Sequence, residues 1–207
     1  GRNWEQIRTT ICYNNRPVKI VGSHAGVSVG PDGGTHQSLE DIALTRVIPR
    51  MIVISPCDSI EAKKATLASV DTGTPVYIRL AREKTPIITT DKTHFEIGQA
   101  QSYWISDKPK VGIIATGALL YKALLAAKEL EEKGIDTEVM NLSTIKPLDE
   151  KAVIELAKKT GRIVTIEEHQ IAGGMGSAIA ECLSANFPVP IEFIGVHDQF
   201  GQSGTPE

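Results

Sequence analysis

The chain has 207 residues, and 22 Lys+Arg against 25 Asp+Glu give it a formal net charge of −3. That balance excludes a nucleic-acid binder working through a basic face, and 41% hydrophobic residues with mixed charge exclude a disordered chain. Area scaling lets on the order of 70% of the unfolded surface be buried, enough for one large or two small domains. Cys12, Cys57 and Cys182 are odd in number and far apart. They fit neither a disulfide framework nor a paired zinc spacing, and they point to a reducing, cytoplasmic setting. The longest run of apolar, Gly and Thr residues, Val111 to Tyr121, is too short to span a bilayer, and the first residues lack a signal peptide's apolar stretch.

The chain opens without Met on a helical pattern in which Trp4, Ile7 and Ile11 share one face. Short β-rich runs then alternate with helical patterns, the mark of an α/β fold with mostly parallel sheets. Strands are expected at 18–21, 51–54 and 75–80, with helices near 37–46 and 58–70 between them. The rhythm fails from Glu83 to Lys110, where residues 86–105 read as weakly extended and Ser106-Asp107-Lys108-Pro109 as a turn. A second series follows: a strand at 110–115, a helix with Leu120, Leu124 and Ala127 on one face, and a strand at 137–141. A helix at 149–160 stopped by Gly161, a strand at 162–167, a helix at 175–185 and a last strand at 191–194 complete it. The closing Thr205-Pro206-Glu207 reads as N-cap, first-turn proline and acid, announcing a helix. Both ends therefore read as cut, and the chain is expected to be a piece of a longer polypeptide.

Ligands of open parallel sheets bind beyond the carboxyl ends of the strands, where helix N-termini and loops are free. After the first strand comes Gly22-Ser23-His24-Ala25-Gly26-Val27-Ser28-Val29-Gly30-Pro31-Asp32-Gly33-Gly34-Thr35-His36-Gln37. This glycine frame holds two histidines and an aspartate. Thr35 is a candidate N-cap that would place His36 in the first turn of the next helix, at its positive end. Three readings stand: a long surface loop with solvated His and Asp, a metal site made of His24, Asp32 and His36, and recognition of sugar hydroxyls or phosphate. Arg82 follows the third strand, on the same rim as His24, where a guanidinium either grips a phosphate or pairs with Glu83. Arg79 reads as structural or interfacial.

Other features carry less. Gly173-Gly174-Met175-Gly176 lacks the G-x-G-x-x-G spacing and reads as glycines for close helix–sheet packing. Glu167 and Glu168, next to His169, point to opposite faces of a strand and so form no catalytic pair. His94 and His197 read as surface residues.

The runs "GSHAGVSVGPDGGTHQSLEDIALTRVIP", "PVYIRLAR", "TIKPLD", "VTIEEHQIAGGMGSAIAE" and "DQFGQSGTPE", in this order and spacing, resemble the carboxyl-terminal portion of transketolase over essentially the whole chain. The resemblance implies two doubly wound, mostly parallel α/β domains: residues 1–85 as part of a thiamine-diphosphate pyrimidine-binding domain, 86–109 as a linker, and 110–207 as the transketolase C-terminal domain. It implies a cytoplasmic transferase of the pentose phosphate pathway that moves a two-carbon ketol unit from a ketose phosphate to an aldose phosphate. Its cofactors would be thiamine diphosphate and Mg2+ or Ca2+.

By the same resemblance His24 and Arg82 hold the substrate phosphate, Asp32 reads a hydroxyl configuration, and His36 lies at the reacting carbons as the catalytic imidazole. The family's cofactor-protonating glutamate and its diphosphate- and metal-binding domain lie outside this sequence, so the chain alone is expected to be inactive. Its expected partners are an N-terminal transketolase section and a second copy of itself, with sugar phosphates as ligands and neither nucleic acid nor membrane. Some members encode the two halves as separate chains, and the start Asn3-Trp4-Glu5-Gln6-Ile7-Arg8 is compatible with that. Deoxyxylulose phosphate synthase carries an Asp-Arg pair where this chain has Ser23-His24, and the β subunit of 2-oxoacid dehydrogenases lacks the His24/Asp32/His36 loop. A non-catalytic binding subunit of the same fold is the remaining alternative.

Overall fold

Alternating β-branched runs and helices build two mostly parallel sheets with helices against them, and the computed structural model describes residues 2–206. In the first sheet β1 (Lys19–Gly22), β3 (Val76–Arg79) and β2 (Ile52–Ile54) lie parallel in that order, with β7 (Thr144–Lys146) antiparallel on β2. In the second, the order is β4 (Gln101–Ile105), β6 (Thr137–Asn141), β5 (Val111–Ala115), β8 (Ile163–Gln170) and β9 (Ile191–Val196). Only β4 runs antiparallel there. The seven strands and four of the five helices expected after residue 17 form within a few residues of their expected bounds; the exception is the helix that follows the glycine-rich loop, read at 37–46 and formed only over Asp41–Arg46.

β4 falls at the end of the stretch that reads as weakly extended, whereas β7 is a strand that the sequence reading does not include. The second half lends β7 to the first half's sheet, and Ile145 is buried in a core that also holds Cys12, Ile42, Met51, Val53 and Tyr77 from the first half and Ile114 and Met140 from the second. Lys146 finishes the join by donating to the carbonyls of Arg46 and Ile48, at 2.8 and 2.5 Å. The linker is clipped as well. Asp58, the N-cap of α3 (Ser59–Val70), accepts from the Glu61 amide and also from the amides of Ile88 and Thr89.

The N-terminal face behaves as its spacing predicts: Trp4, Ile7 and Ile11 pack on the shared core, and Trp4 Nε1 donates to the Leu44 carbonyl at 2.7 Å. The chain there winds as α1 (Trp4–Gln6) and then a π-helical turn over Ile7–Tyr13. α5 (Glu150–Thr160) has Asp149 as its cap and ends on left-handed Gly161. α6 (Met175–Asn186) lies so close to the sheet that a Cβ on Gly176 would sit 2.8 Å from Phe193. This is the role expected of the glycine run. The helix start read at 205–207 falls at the edge of the structure; Thr205 and Pro206 are not helical, and Glu207 lies outside the described residues, as does Gly1. Among the described residues no helix is long and apolar enough to cross a membrane.

Candidate functional site

β1 and β3 are parallel neighbours with Gly22 beside Arg79, and the pairing runs on past both ends: Leu80 donates to Gly22 and Ala25 to Leu80. His24 and Arg82 therefore leave the sheet at one carboxyl edge. His24 is exposed, takes a left-handed backbone (φ 61°), and has Nδ1 3.1 Å from the Ser23 hydroxyl. The chain then turns through a 3-10 stretch, Val27–Asp32, kinked at Gly30. Arg82 reaches across to it. Its Nη1 donates to the Val29 carbonyl at 2.7 Å and lies 3.4 Å from Asp32 Oδ1, while Nε is 3.8 Å from Glu83. Nη2 makes no hydrogen bond among the described residues, and the side chain is 35% exposed. The structure thus joins Arg82 to Asp32, and among the described residues no hydrogen bond ties either to His24 or His36.

His36 is not in a helix, contrary to expectation. α2 (Asp41–Arg46) starts five residues later, and His36 and Gln37 both donate to Gly33 in a tight turn. Tertiary pairing prevails over the capping signal at Thr35. Ser38 bridges Ala25, Gly26 donates to Ser38, and the Gln37 amide donates to the carbonyls of Val27 and Gln202, so residues 37–38 are held by the loop and the C-terminal segment. Thr35 Oγ1 meets His36 Nδ1 at 2.9 Å instead of capping. His36 lines a cavity of about 750 Å³ with Ser38, Glu40 and the strongly exposed Phe200.

Behind this rim lies a buried polar layer. Arg79 is structural, as expected: it pairs with Asp41 at 2.9 Å and donates to the carbonyls of Ser38 and Glu168. Glu167 is pushed up to about 7 by burial, even though the amides of Gly176 and Met175 and two arginines oppose the shift. Burial holds the His169 ring below the usual histidine range. His94 and His197 are exposed, as expected of surface residues. Glu168, Gln37 and the segment Phe200–Ser203 also shape the site. Their partners lie 10 to 165 positions away, and no local signal in the sequence announces them.

Among the described residues no three His, Cys, Asp or Glu side chains lie close enough to hold a metal ion, so the alternative of His24, Asp32 and His36 as ligands is not assembled. The polar groups on this rim are imidazoles, a guanidinium with a free Nη2, and one carboxylate. That set suits an anion and hydroxyls, and among the described residues it assembles no ligand set for a metal ion.

Comparison with known proteins agrees with this architecture. Residues 1–87 match the model of the transketolase pyrimidine-binding domain and residues 101–207 that of the transketolase C-terminal domain. A 6-deoxy-6-sulfo-D-fructose transketolase subunit of a Clostridium species is 42% identical over 97% of this chain and 62% of its own length. A putative transketolase C-terminal section of Methanocaldococcus jannaschii is 41% identical over 99% of the chain and 64% of its own length. A solved structure described as a split gene transketolase, inactive beta4 tetramer, superposes with a TM-score of 0.90 at 40% identity, covering 98% of this chain and 65% of that one. The chain thus spans somewhat under two thirds of these relatives. With family models covering both halves in order and a 40% identical structure matching the fold, the chain belongs to the transketolase family and corresponds to its C-terminal section.

Proposed function

We propose that this chain is the substrate-recognition section of a two-chain transketolase that, together with an N-terminal section, transfers a two-carbon ketol unit from ketose to aldose phosphates. Thiamine diphosphate with Mg2+ or Ca2+, held mainly by that other section, would supply the electron sink for the transferred unit. This chain's residues bind and orient the sugar. Arg82 and His24 take its terminal oxyanion, Asp32 accepts from a hydroxyl, and His36 serves the reacting carbons. The chain alone is inactive, and the assembly includes a second copy of it.

The observation that carries this reading is Arg82: tethered through Nη1 to Val29, it keeps Nη2 free on the rim it shares with His24. A pre-positioned guanidinium binds a tetrahedral oxyanion with little entropy left to lose. The relative named for 6-deoxy-6-sulfo-D-fructose favours a class defined by that anion, sulfonate or phosphate. The split-gene relative, an inactive tetramer of its β chain, supports both self-association and the need for a partner section.

The test is to mix this chain with an N-terminal section, thiamine diphosphate and Mg2+ and to follow xylulose phosphate plus ribose phosphate. Turnover only in the mixture supports the reading. Sugar-phosphate binding without turnover turns it toward a binding subunit, and the absence of both ends it.

A further inference from the structure

β8 ends in three successive ionisable residues that the proposed chemistry leaves idle. Glu167, Glu168 and His169 are 2, 9 and 0% exposed. They leave the strand in alternate directions, and each holds a different piece of chain. Glu167 accepts from the amides of Met175 and Gly176, at 2.7 and 2.8 Å, and so closes the N-terminus of α6. His169 Nε2 accepts from the Ala43 amide at 3.3 Å, while Nδ1 lies 2.7 Å from the Gln170 carbonyl. An amide only donates and a carbonyl only accepts, so these partners assign a neutral ring with its proton on Nδ1.

Glu168 reaches the other way, into the loop between His24 and Asp32. Its Oε1 accepts from the Ser28 amide, and its carboxylate fills the space that a Cβ on Gly26 would need. Gly26 has a φ of 93°, so glycine is required there twice over, by conformation and by contact. The backbone carbonyl of Glu168 accepts from Arg79 Nη2 at 2.8 Å. The far limb of the same loop is pressed by the C-terminal segment: a Cβ on Gly34 would sit 2.5 Å from the Gly201 carbonyl, and Gln37 Nε2 donates to Gln202 at 3.2 Å. Among the described residues the Ser28 amide is the one hydrogen-bond donor to the Glu168 carboxylate. What this bond provides is a fixed position for Ser28 relative to β8.

We infer that Glu168 is a positioning residue for the substrate loop: the second half of the chain acts on the site by bracing the segment that presents His24 and Asp32, without touching the sugar. The inference rests on the function proposed above, but its structural part is measurable without it. Removing the acceptor frees the loop to sample other shapes, in which Asp32 no longer meets Arg82 and His24 is no longer held at the rim. Substrate affinity then falls while the reacting groups of the assembled enzyme stay in place.

The experiment compares Glu168→Ala, Glu168→Leu and Glu168→Gln in the full chain. Leu keeps the volume and removes the acceptor; Gln keeps an acceptor oxygen. Loss of one amide hydrogen bond should speed hydrogen exchange over residues 24–32 about 5- to 10-fold in the Ala or Leu variant, with α4 (Leu119–Glu132) and α5 unchanged, and Gln should hold within about 2-fold of the parent. In the assembled enzyme, the same Ala or Leu variant should raise KM for phosphorylated sugars by about 5- to 10-fold, leave kcat within about 2-fold, and be largely rescued by Gln. Unchanged exchange over 24–32, acceleration spread evenly over the chain, or Gln behaving like Leu would each overturn the brace. If the parent chain shows no ketol transfer with its N-terminal section, the functional reading fails, and the exchange data still decide the structural claim.

Discussion

Arg79 Nε and Asp41 Oδ2 lie 2.9 Å apart, with side chains 7 and 10% exposed. The Tyr77 hydroxyl donates to the same carboxylate oxygen at 2.7 Å. Arg79 also donates to Ser38 and to Glu168, so one guanidinium joins β3, the exit of the substrate loop, the start of α2 and the end of β8. Burying such a pair need not stabilise the fold, but breaking one strands a charge. Arg79→Met is therefore expected to lower unfolding free energy by about 3–5 kcal/mol, and Arg79→Met combined with Asp41→Leu to cost much less. Urea midpoints of the single and double variants check this, and equal losses in both would contradict it.

Tyr77→Phe removes one neutral donor to a carboxylate that keeps Arg79. The expected loss is about 1–2 kcal/mol by the same urea titration. Asp41 Oδ1 has no hydrogen-bond partner among the described residues, so the Tyr77 hydroxyl and Arg79 together satisfy the other oxygen alone. A loss near zero would mean that Arg79 by itself is sufficient.

The sequence made the repeating βα units legible because each strand is a β-branched run and each long helix has its own punctuation, such as Asp58, Asp149 and Gly161. β7 was not legible. Thr144, Ile145 and Lys146 are too few to show alternation, and their partner Ile54 lies 90 positions earlier. The site divides in the same way. Arg82 and His24 fall on one rim because strand ends place them there, which topology alone predicts. The surroundings of His36 did not follow from its neighbours, since Thr35 is a good N-cap type but Ser38 is already committed to Ala25 and Gly26. Glu168 next to Glu167 looked like a pair of strand carboxylates, and nothing local discloses that one serves α6 and the other a loop 140 positions upstream.

Arg82→Ala in the assembled enzyme should cut kcat/KM for phosphorylated sugars by about 10- to 100-fold, mostly through KM, the size of a lost charge-assisted hydrogen bond. Sugars without the terminal anion should change by less than about 3-fold. Arg82 is also tied to Val29 and Asp32, so part of the effect passes through the loop. Steady-state kinetics with both substrate classes separates the two contributions. Equal losses for charged and uncharged sugars would count against an anion role.

His36→Ala should depress kcat by more than it raises KM. In the proposed reading its imidazole contacts groups whose charge changes during reaction, and such contacts are stronger in the transition state than in the ground state. The ring has only Thr35 as a hydrogen-bond partner among the described residues and lines an open cavity, so the substitution should leave folding stability within about 0.5 kcal/mol. A pure KM effect in single-turnover and steady-state measurements would assign His36 to binding.

Glu167 gives the fold a pH dependence of definite sign. Burial, the largest cause, raises its carboxyl from the ordinary 4.5 to about 7 despite the two amides it accepts from. A group whose folded value lies above its unfolded value contributes stability in full below the lower value and loses it as pH rises through the higher one. The contribution is therefore present near pH 4.5 and gone above about pH 7, and the span corresponds to on the order of 3 kcal/mol. Comparing the parent with Glu167→Gln isolates this carboxyl from the other titrating groups. Gln cannot accept from both Met175 and Gly176, so the variant should be the less stable of the two at pH 5, and the gap should narrow by up to about 3 kcal/mol on going to pH 8. Chemical denaturation at the two pH values measures the gap directly, and a gap that stays constant would show that the buried carboxyl titrates as it does in the unfolded chain.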